Sequence, residues 1–329
     1  MAISGILSSQ NHYNQRASGF WPTSFFVTQL LGPLRAIFGY GLKDGYPPQT
    51  TITNLVSNTG VVATDTAGVG TARYVLAAAG YGTDKAIFGY GAFTGGDGSM
   101  TNLVSNTGVV ATDTTGVGTG RYGLAAAGYG TDKAIFGYGQ GDAGYFSITN
   151  LVSNTGVVAS NTTGVGTARQ GLAAAGYGTD KAIFGYGGSY TGSWNMFSIT
   201  NLVSNIGVVA SNTTGVGTAR TGLAAAGYGG DKAIFGYGNV VNSSMLSMTN
   251  KVSNTGVVAS DTTGVGTARQ QLAAATYGED KAIFGYGQNS SSVNVSLTNL
   301  VSNTGVVAND TAGVGTARSA LAAAGYSLT

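Results

Sequence analysis

The chain has 329 residues, 56 of them glycine, with one histidine, no cysteine, 9% charged residues and a net charge of +2. A soluble domain is ordinarily about a quarter charged, so groups for acid–base chemistry or phosphate binding are scarce. Without cysteine there are no disulfides, thiolate nucleophiles or cysteine-held metal centres, and a lone His12 excludes a multi-histidine site.

Residues 1–34 share no phrase with the rest of the chain. They hold Phe20, Trp21, Phe25, Phe26, Leu30 and Leu31 with almost no charge. The apolar run is broken by Pro22 and is shorter than the roughly 20 residues that span a bilayer, so membrane insertion is not expected. No basic n-region precedes it, which argues against a secretory signal. Each large apolar side chain is worth about 1.5–3 kcal/mol on burial, and the segment is therefore expected to be an assembly anchor. Packing against its own chain is the alternative.

From residue 35 the chain repeats. AIFGYG begins at Ala36, Ala86, Ala134, Ala182, Ala233 and Ala282, and GVGT(A/G)R ends at Arg73, Arg121, Arg169, Arg220, Arg269 and Arg318. Successive arginines lie 48, 48, 51, 49 and 49 residues apart. All length variation falls between GYG and the next Thr-Asn, at residues 42–52, 92–100, 140–148, 188–199, 239–248 and 288–297. A unit that varies in length at one point has a packed framework and one surface loop.

Each unit reads as short strands. Residues 124–129 (LAAAGY) and 134–138 (AIFGY) flank Gly-Thr-Asp-Lys, a hairpin turn; 101–105 (TNLVS) and 109–112 (VVAT) flank Asn-Thr-Gly, another. Glycine at this frequency opposes helix, although AAAG taken alone is compatible with one. Four strands per unit make a propeller blade. The first phrase, AIFGYG, lacks a preceding LAAAGY, and the last, LAAAGY at 321–326, lacks a following AIFGYG. Their pairing would complete a sixth unit and hide the edge strands. The expected fold is all-β: a six-bladed β-propeller over 35–329, closed by pairing of the N- and C-terminal strands, preceded by the segment 1–34.

The recurring polar residues have structural readings. The six arginines form either an anion-gripping ring or, at lower electrostatic cost, pairs with carbonyls and acidic neighbours. Asp65, Asp113, Asp261 and Asp310 alternate with Asn161 and Asn212, which suits a turn residue bonding its own backbone better than a calcium ligand. The Asp-Lys pairs at 84–85, 132–133, 180–181, 231–232 and 280–281 are expected to be solvated turn residues. Twelve tyrosines recur once per unit and read as packing. The aromatics that do not recur, Tyr46, Phe93, Tyr145, Phe146, Tyr190, Trp194 and Phe197, fall in the variable loops and are the candidate surface-binding residues. No nucleophile–base arrangement, metal ligand set, cofactor motif or clustered basic patch is present, so neither catalysis, a cofactor nor nucleic-acid binding is expected.

The order of arginine, small apolar strand, turn, apolar strand ending in glycines and variable loop (residues 121–140) resembles a kelch blade, although GYG replaces the Gly-Gly doublet and the kelch tryptophan is missing. TNLVSNTGVVATDTAGVGTAR at 53–73 is similar to repeats of kelch-like proteins of tailed bacteriophages. The resemblance covers 35–329 and implies a kelch-like propeller in the virion: a non-enzymatic structural component such as a tail fibre or decoration protein. Its partners would be other virion proteins and copies of itself, with a host-surface glycan as a further candidate. A carbohydrate-binding lectin is the alternative. Galactose oxidase chemistry is not carried over, since its histidines and cysteine are missing.

Overall fold

The computed structural model describes residues 34–241 and 244–328; the expected anchor residues Phe20, Trp21, Phe25, Phe26, Leu30 and Leu31 lie outside them. Within the described residues every unit builds one three-stranded antiparallel sheet. In one of them Lys133–Gly137 is the middle strand, with Ala125–Tyr129 on one side (Ile135 opposite Ala127) and Thr149–Val152 on the other (Ile135 opposite Leu151). Alternation sets the faces: Ala77, Ala79 and Tyr81 are buried while Ala78 and Gly80 are half-buried. The chain ends pair. Ala322–Ser327 lies against Leu34–Gly39, with Ala36 opposite Gly325, and Thr53–Val56 completes that sheet.

The expected kelch-like propeller of four-stranded blades is corrected by these sheets. Among the described residues there are eleven small antiparallel sheets, six of three strands and five of two, and none is closed into a barrel or propeller. The fourth segment of each unit fails to become a strand for a local reason. Thr53 faces Thr66 and Val56 faces Val62, so the far segment carries one extra residue between the two bridges. That is a bulge. The buried amide of Asn54 fills it, donating to Ala63 O at 3.0 Å and to Asp65 Oδ1 at 2.9 Å. A side chain occupies the place of a ladder bond, and only isolated bridges remain.

The phrase AIFGYG supplies the contacts between successive sheets. Its alanine, isoleucine, phenylalanine and tyrosine are fully buried in all six copies. Each phenylalanine tip sits on the glycine of the preceding copy: a Cβ on Gly185 would lie 2.6 Å from Phe235 Cζ, and one on Gly285 would lie 2.7 Å from Phe38 Cζ. These glycines have ordinary backbone angles, so the requirement is for space alone. The tyrosine directly after that glycine meets the same ring, with Tyr186 and Phe235 centroids 5.2 Å apart, edge to face.

The arginines lock the same joints. Arg169 is fully buried and donates from Nε to Tyr186 O (2.6 Å), from Nη1 to Thr167 O (2.9 Å) and from Nη2 to Asn201 Oδ1 (2.9 Å). Its guanidinium lies 4.3 Å from the centroid of Tyr138, one unit earlier. Asn201 thus serves the bulge with its nitrogen and the arginine with its oxygen. Burial pushes the Tyr186 hydroxyl up to about 12, the nearby Arg220 charge only partly opposing it.

The aspartates do not bond their own backbone as expected. Each bulge aims its carboxylate at the preceding unit, where Asp113 accepts from Thr71 N (2.9 Å) and Thr71 Oγ1 (2.6 Å). In the asparagine units the hydroxyl reverses its role, and Asn161 Nδ2 donates to Thr119 Oγ1 at 2.8 Å. A threonine hydroxyl both donates and accepts, which is why Asp and Asn interchange.

The phenylalanine joints and the bulge carboxylates each give an expectation. Gly185→Ala should lower stability by about 1–3 kcal/mol and Phe235→Ala by about 3–5 kcal/mol. Denaturant unfolding of the double variant should show the glycine penalty gone once the ring is removed; an unchanged penalty would show that the ring tip is not the obstacle. The second concerns pH. Desolvation raises the carboxyls of Asp65, Asp113, Asp261 and Asp310, but threonine and asparagine hydrogen bonds with the arginine charge outweigh it, and the net shift is downward. A depressed carboxyl stabilises the fold above its ordinary range, near 3.9, and that stability is lost as pH falls through and below it. Replacing all four by Asn should leave stability at pH 7 within about 1 kcal/mol and move the acid-unfolding midpoint to lower pH. An unmoved midpoint would show the carboxylates uncoupled from folding.

Candidate functional site

Units that agree at nearly every framework position disagree at the two residues between arginine and leucine: Tyr74-Val75, Tyr122-Gly123, Gln170-Gly171, Thr221-Gly222, Gln270-Gln271 and Ser319-Ala320. The structure gathers all six pairs at one end of the first strands. The second residues form a circuit of backbone hydrogen bonds. Val75 N donates to Ala320 O (2.7 Å), Ala320 N to Gln271 O (2.8 Å) and Gln271 N to Gly222 O (2.7 Å). Gly222 N donates in turn to Gly171 O (2.9 Å), Gly171 N to Gly123 O (2.8 Å) and Gly123 N to Val75 O (2.9 Å). This needs left-handed backbone throughout, with φ between 51° at Val75 and 64° at Gly123. Three positions meet the requirement with glycine. Val75, Gln271 and Ala320 meet it with side chains, and a β-branched residue there is strained.

The first residues of the pairs bridge to the start of each variable loop: Tyr74 to Ala92, Tyr122 to Gln140, Gln170 to Gly188 and Thr221 to Asn239. Gln270 pairs with Gln288 and Ser319 with Leu42 in the same way. All six loops therefore begin at the end that carries the circuit.

A cavity of about 420 Å³ opens there, within the range of small-molecule sites. The dipeptides supply Tyr122, Gln170, Gln270 and Gln271; a loop hairpin pairing Gly188–Tyr190 with Trp194–Met196 supplies Trp194 and Met196. The following loop adds Asn239, Val240 and Val241. Among the described lining residues Tyr122 alone is titratable. Burial, reinforced by Asp97, raises its hydroxyl, so it is neutral at pH 7.

Of the seven aromatics predicted for surface binding, Trp194 lines this cavity, and Tyr190 meets it edge-on with centroids 5.9 Å apart. Tyr46 is 95% exposed and outside the lining, as are the half-buried Phe93, Tyr145, Phe146 and Phe197. The dipeptide residues were outside the expectation because loop length, and not residue identity at constant length, guided it. The signal was present: two changing positions between invariant neighbours.

A second cavity, about 350 Å³, lies at the other end of the first strands, near Lys85, Lys133, Lys181 and Lys232. Each lysine Nζ is 2.6–2.8 Å from the carboxylate of the aspartate before it, so this mouth carries no net excess of free cations. The six arginines are fully buried and line neither cavity, which removes the anion-ring reading.

No known protein-family model matches the chain, and no curated protein matches it. The resemblance to kelch and bacteriophage repeat proteins is corrected accordingly: what stands is an all-β repeat protein. The virion-component and lectin readings rested on that resemblance and on a closed propeller, and they fall with both.

Strain in the circuit is testable. Val75→Gly relieves a left-handed β-branched residue, worth roughly 1–2 kcal/mol, against about 0.5–1 kcal/mol of added chain entropy. Thermal and denaturant unfolding should show stability unchanged or raised by up to about 1.5 kcal/mol. A clear loss would show that the valine is held there by packing.

Proposed function

We propose that the chain is a non-catalytic binding protein whose near-identical units hold one variable face, and that this face takes a small uncharged ligand in the 420 Å³ cavity. The observation that carries the reading is the convergence of the six variable dipeptides on a cavity lined by amides, hydroxyls, Trp194 and Met196. Among the described lining residues none is charged, so an anionic ligand would be desolvated with no cation lining the cavity to meet it, and a cation would find acidic groups only beyond the lining, at Asp97 and Asp142 beside Tyr122. An uncharged one finds apolar and aromatic surface for its body and a few hydrogen-bonding groups for its edges. Among the described lining residues acid–base catalysis finds only a neutral tyrosine, which supports binding over turnover.

The test is a ligand-observed NMR screen of matched neutral and charged fragments against the full chain. Neutral members should dominate, and their signals should weaken at least tenfold with Gln270→Thr/Gln271→Gly, which copies the dipeptide of another unit. Hits that are mainly charged, or that survive this change and respond instead to Lys133→Met, would overturn the reading.

A further inference from the structure

Resting on that reading, we infer that the cavity is a slot for a flat ring: an uncharged one- or two-ring aromatic with an amide-like edge that both donates and accepts. The asymmetry of the hydrogen-bond circuit carries this. Taken in bonding order, Gly222, Gly171 and Gly123 are consecutive, and so are Val75, Ala320 and Gln271. One half of the circuit is bare peptide, and the other half carries side chains.

Bare peptide planes offer a surface on which a ring face can lie, with no polar side chain rising from them to meet groups on that face. The glycines make room for their neighbours' side chains. A Cβ on Gly123 would come within 2.9 Å of Gln170 Oε1, and one on Gly222 within 3.3 Å of Asn239 Oδ1. Two side-chain amides thus lie against the bare half. Thr221 Oγ1 occupies Asn239 Oδ1 at 3.0 Å, which leaves the Asn239 nitrogen to donate. Gln170 and Gln271 make no side-chain hydrogen bond to another described residue, and each amide presents a donor beside an acceptor. An amide-like edge on the ligand is their complement. Trp194 and Met196 line the same space, and an indole and a thioether give an aromatic ring ring-specific contacts beyond the burial that a saturated ring also gains.

A flat ligand is to be separated from a puckered one of equal polarity. Isothermal titration of the full chain with benzamide, 2-quinolinone and cyclohexanecarboxamide makes the comparison, the first and third sharing one amide and differing in planarity, the second a flat two-ring lactam with N–H beside C=O. Benzamide is expected to bind at least tenfold tighter than cyclohexanecarboxamide, and 2-quinolinone to bind as well. Trp194→Leu should weaken both flat probes at least tenfold, Gln271→Met should weaken benzamide severalfold, and Tyr46→Ala should change neither. Equal affinity for benzamide and cyclohexanecarboxamide overturns the flat-slot inference while leaving a neutral binding site in place. Failure of all three probes, with other neutral fragments still bound in the cavity, overturns it as well. Failure of every neutral fragment overturns the underlying binding reading along with it.

Discussion

The seating of each phenylalanine on the glycine of the preceding AIFGYG is the contact on which the other joints depend. It lets the middle strands of neighbouring sheets approach until a single methyl group would collide with the ring. That approach places the next tyrosine edge-on to the same phenylalanine and sets a guanidinium over the tyrosine face, 4.3 Å away at Arg169 and Tyr138. The arginine is then too deep for water, and its donors must be met by fixed acceptors. Tyr186 O, Thr167 O and Asn201 Oδ1 meet one N–H on each nitrogen of Arg169, whereas the Nε of Arg73 and of Arg269 is buried without a partner among the described residues. One phrase therefore acts as knob and socket at once, and six copies need to agree with one another as much as with the fold.

The asparagine at the bulge links this core to the surface. Its oxygen satisfies the buried arginine and its nitrogen holds open the bulge, which turns the following Asp or Asn toward the previous unit. Arg121, Asn150, Asn161 and Thr119 thus form one chain of hydrogen bonds from a fully buried cation to a solvent-facing threonine. Cutting it at the surface leaves the arginine satisfied by carbonyls. Cutting it at the asparagine strands both the guanidinium and the bulge.

Repetition made much of the framework legible. The complementary half-phrases at the two ends announced that 321–326 would pair with 36–40, and Ala322–Ser327 does lie against Leu34–Gly39. The fourth strand was misread because Val-Val-Ala has strand character, while the bulge depends on where a distant Asn side chain lands. The aspartates were misread for a related reason: Asp113 meets Thr71, 42 residues back, and Asp65 meets Thr316, 251 residues on, whereas a turn reading looks only at neighbours. The family resemblance failed on physics as well. Glycines spaced along short β units arise wherever a ring packs on bare backbone or a turn needs positive φ, so they mark close packing and not kinship. At the candidate site Trp194 was legible as a loop aromatic that does not recur. The dipeptides beside it were not, since their meaning comes from six separate places meeting at one cavity.

Those dipeptides sit where change is cheapest for the fold. Their backbone groups carry the circuit, and a backbone hydrogen bond is blind to the side chain beside it. The remaining constraint is the left-handed conformation, which glycine meets without strain and which Val75, Gln271 and Ala320 meet at a cost. Strain of roughly 1–2 kcal/mol at each such residue is small beside the burial in six phenylalanine–glycine joints, at about 1.5–3 kcal/mol per ring. A framework so redundantly held carries side chains at Val75, Gln271 and Ala320 despite the strain, while at Gly123 and Gly222 a Cβ would also crowd Gln170 and Asn239, so side chains are confined to one half of the circuit.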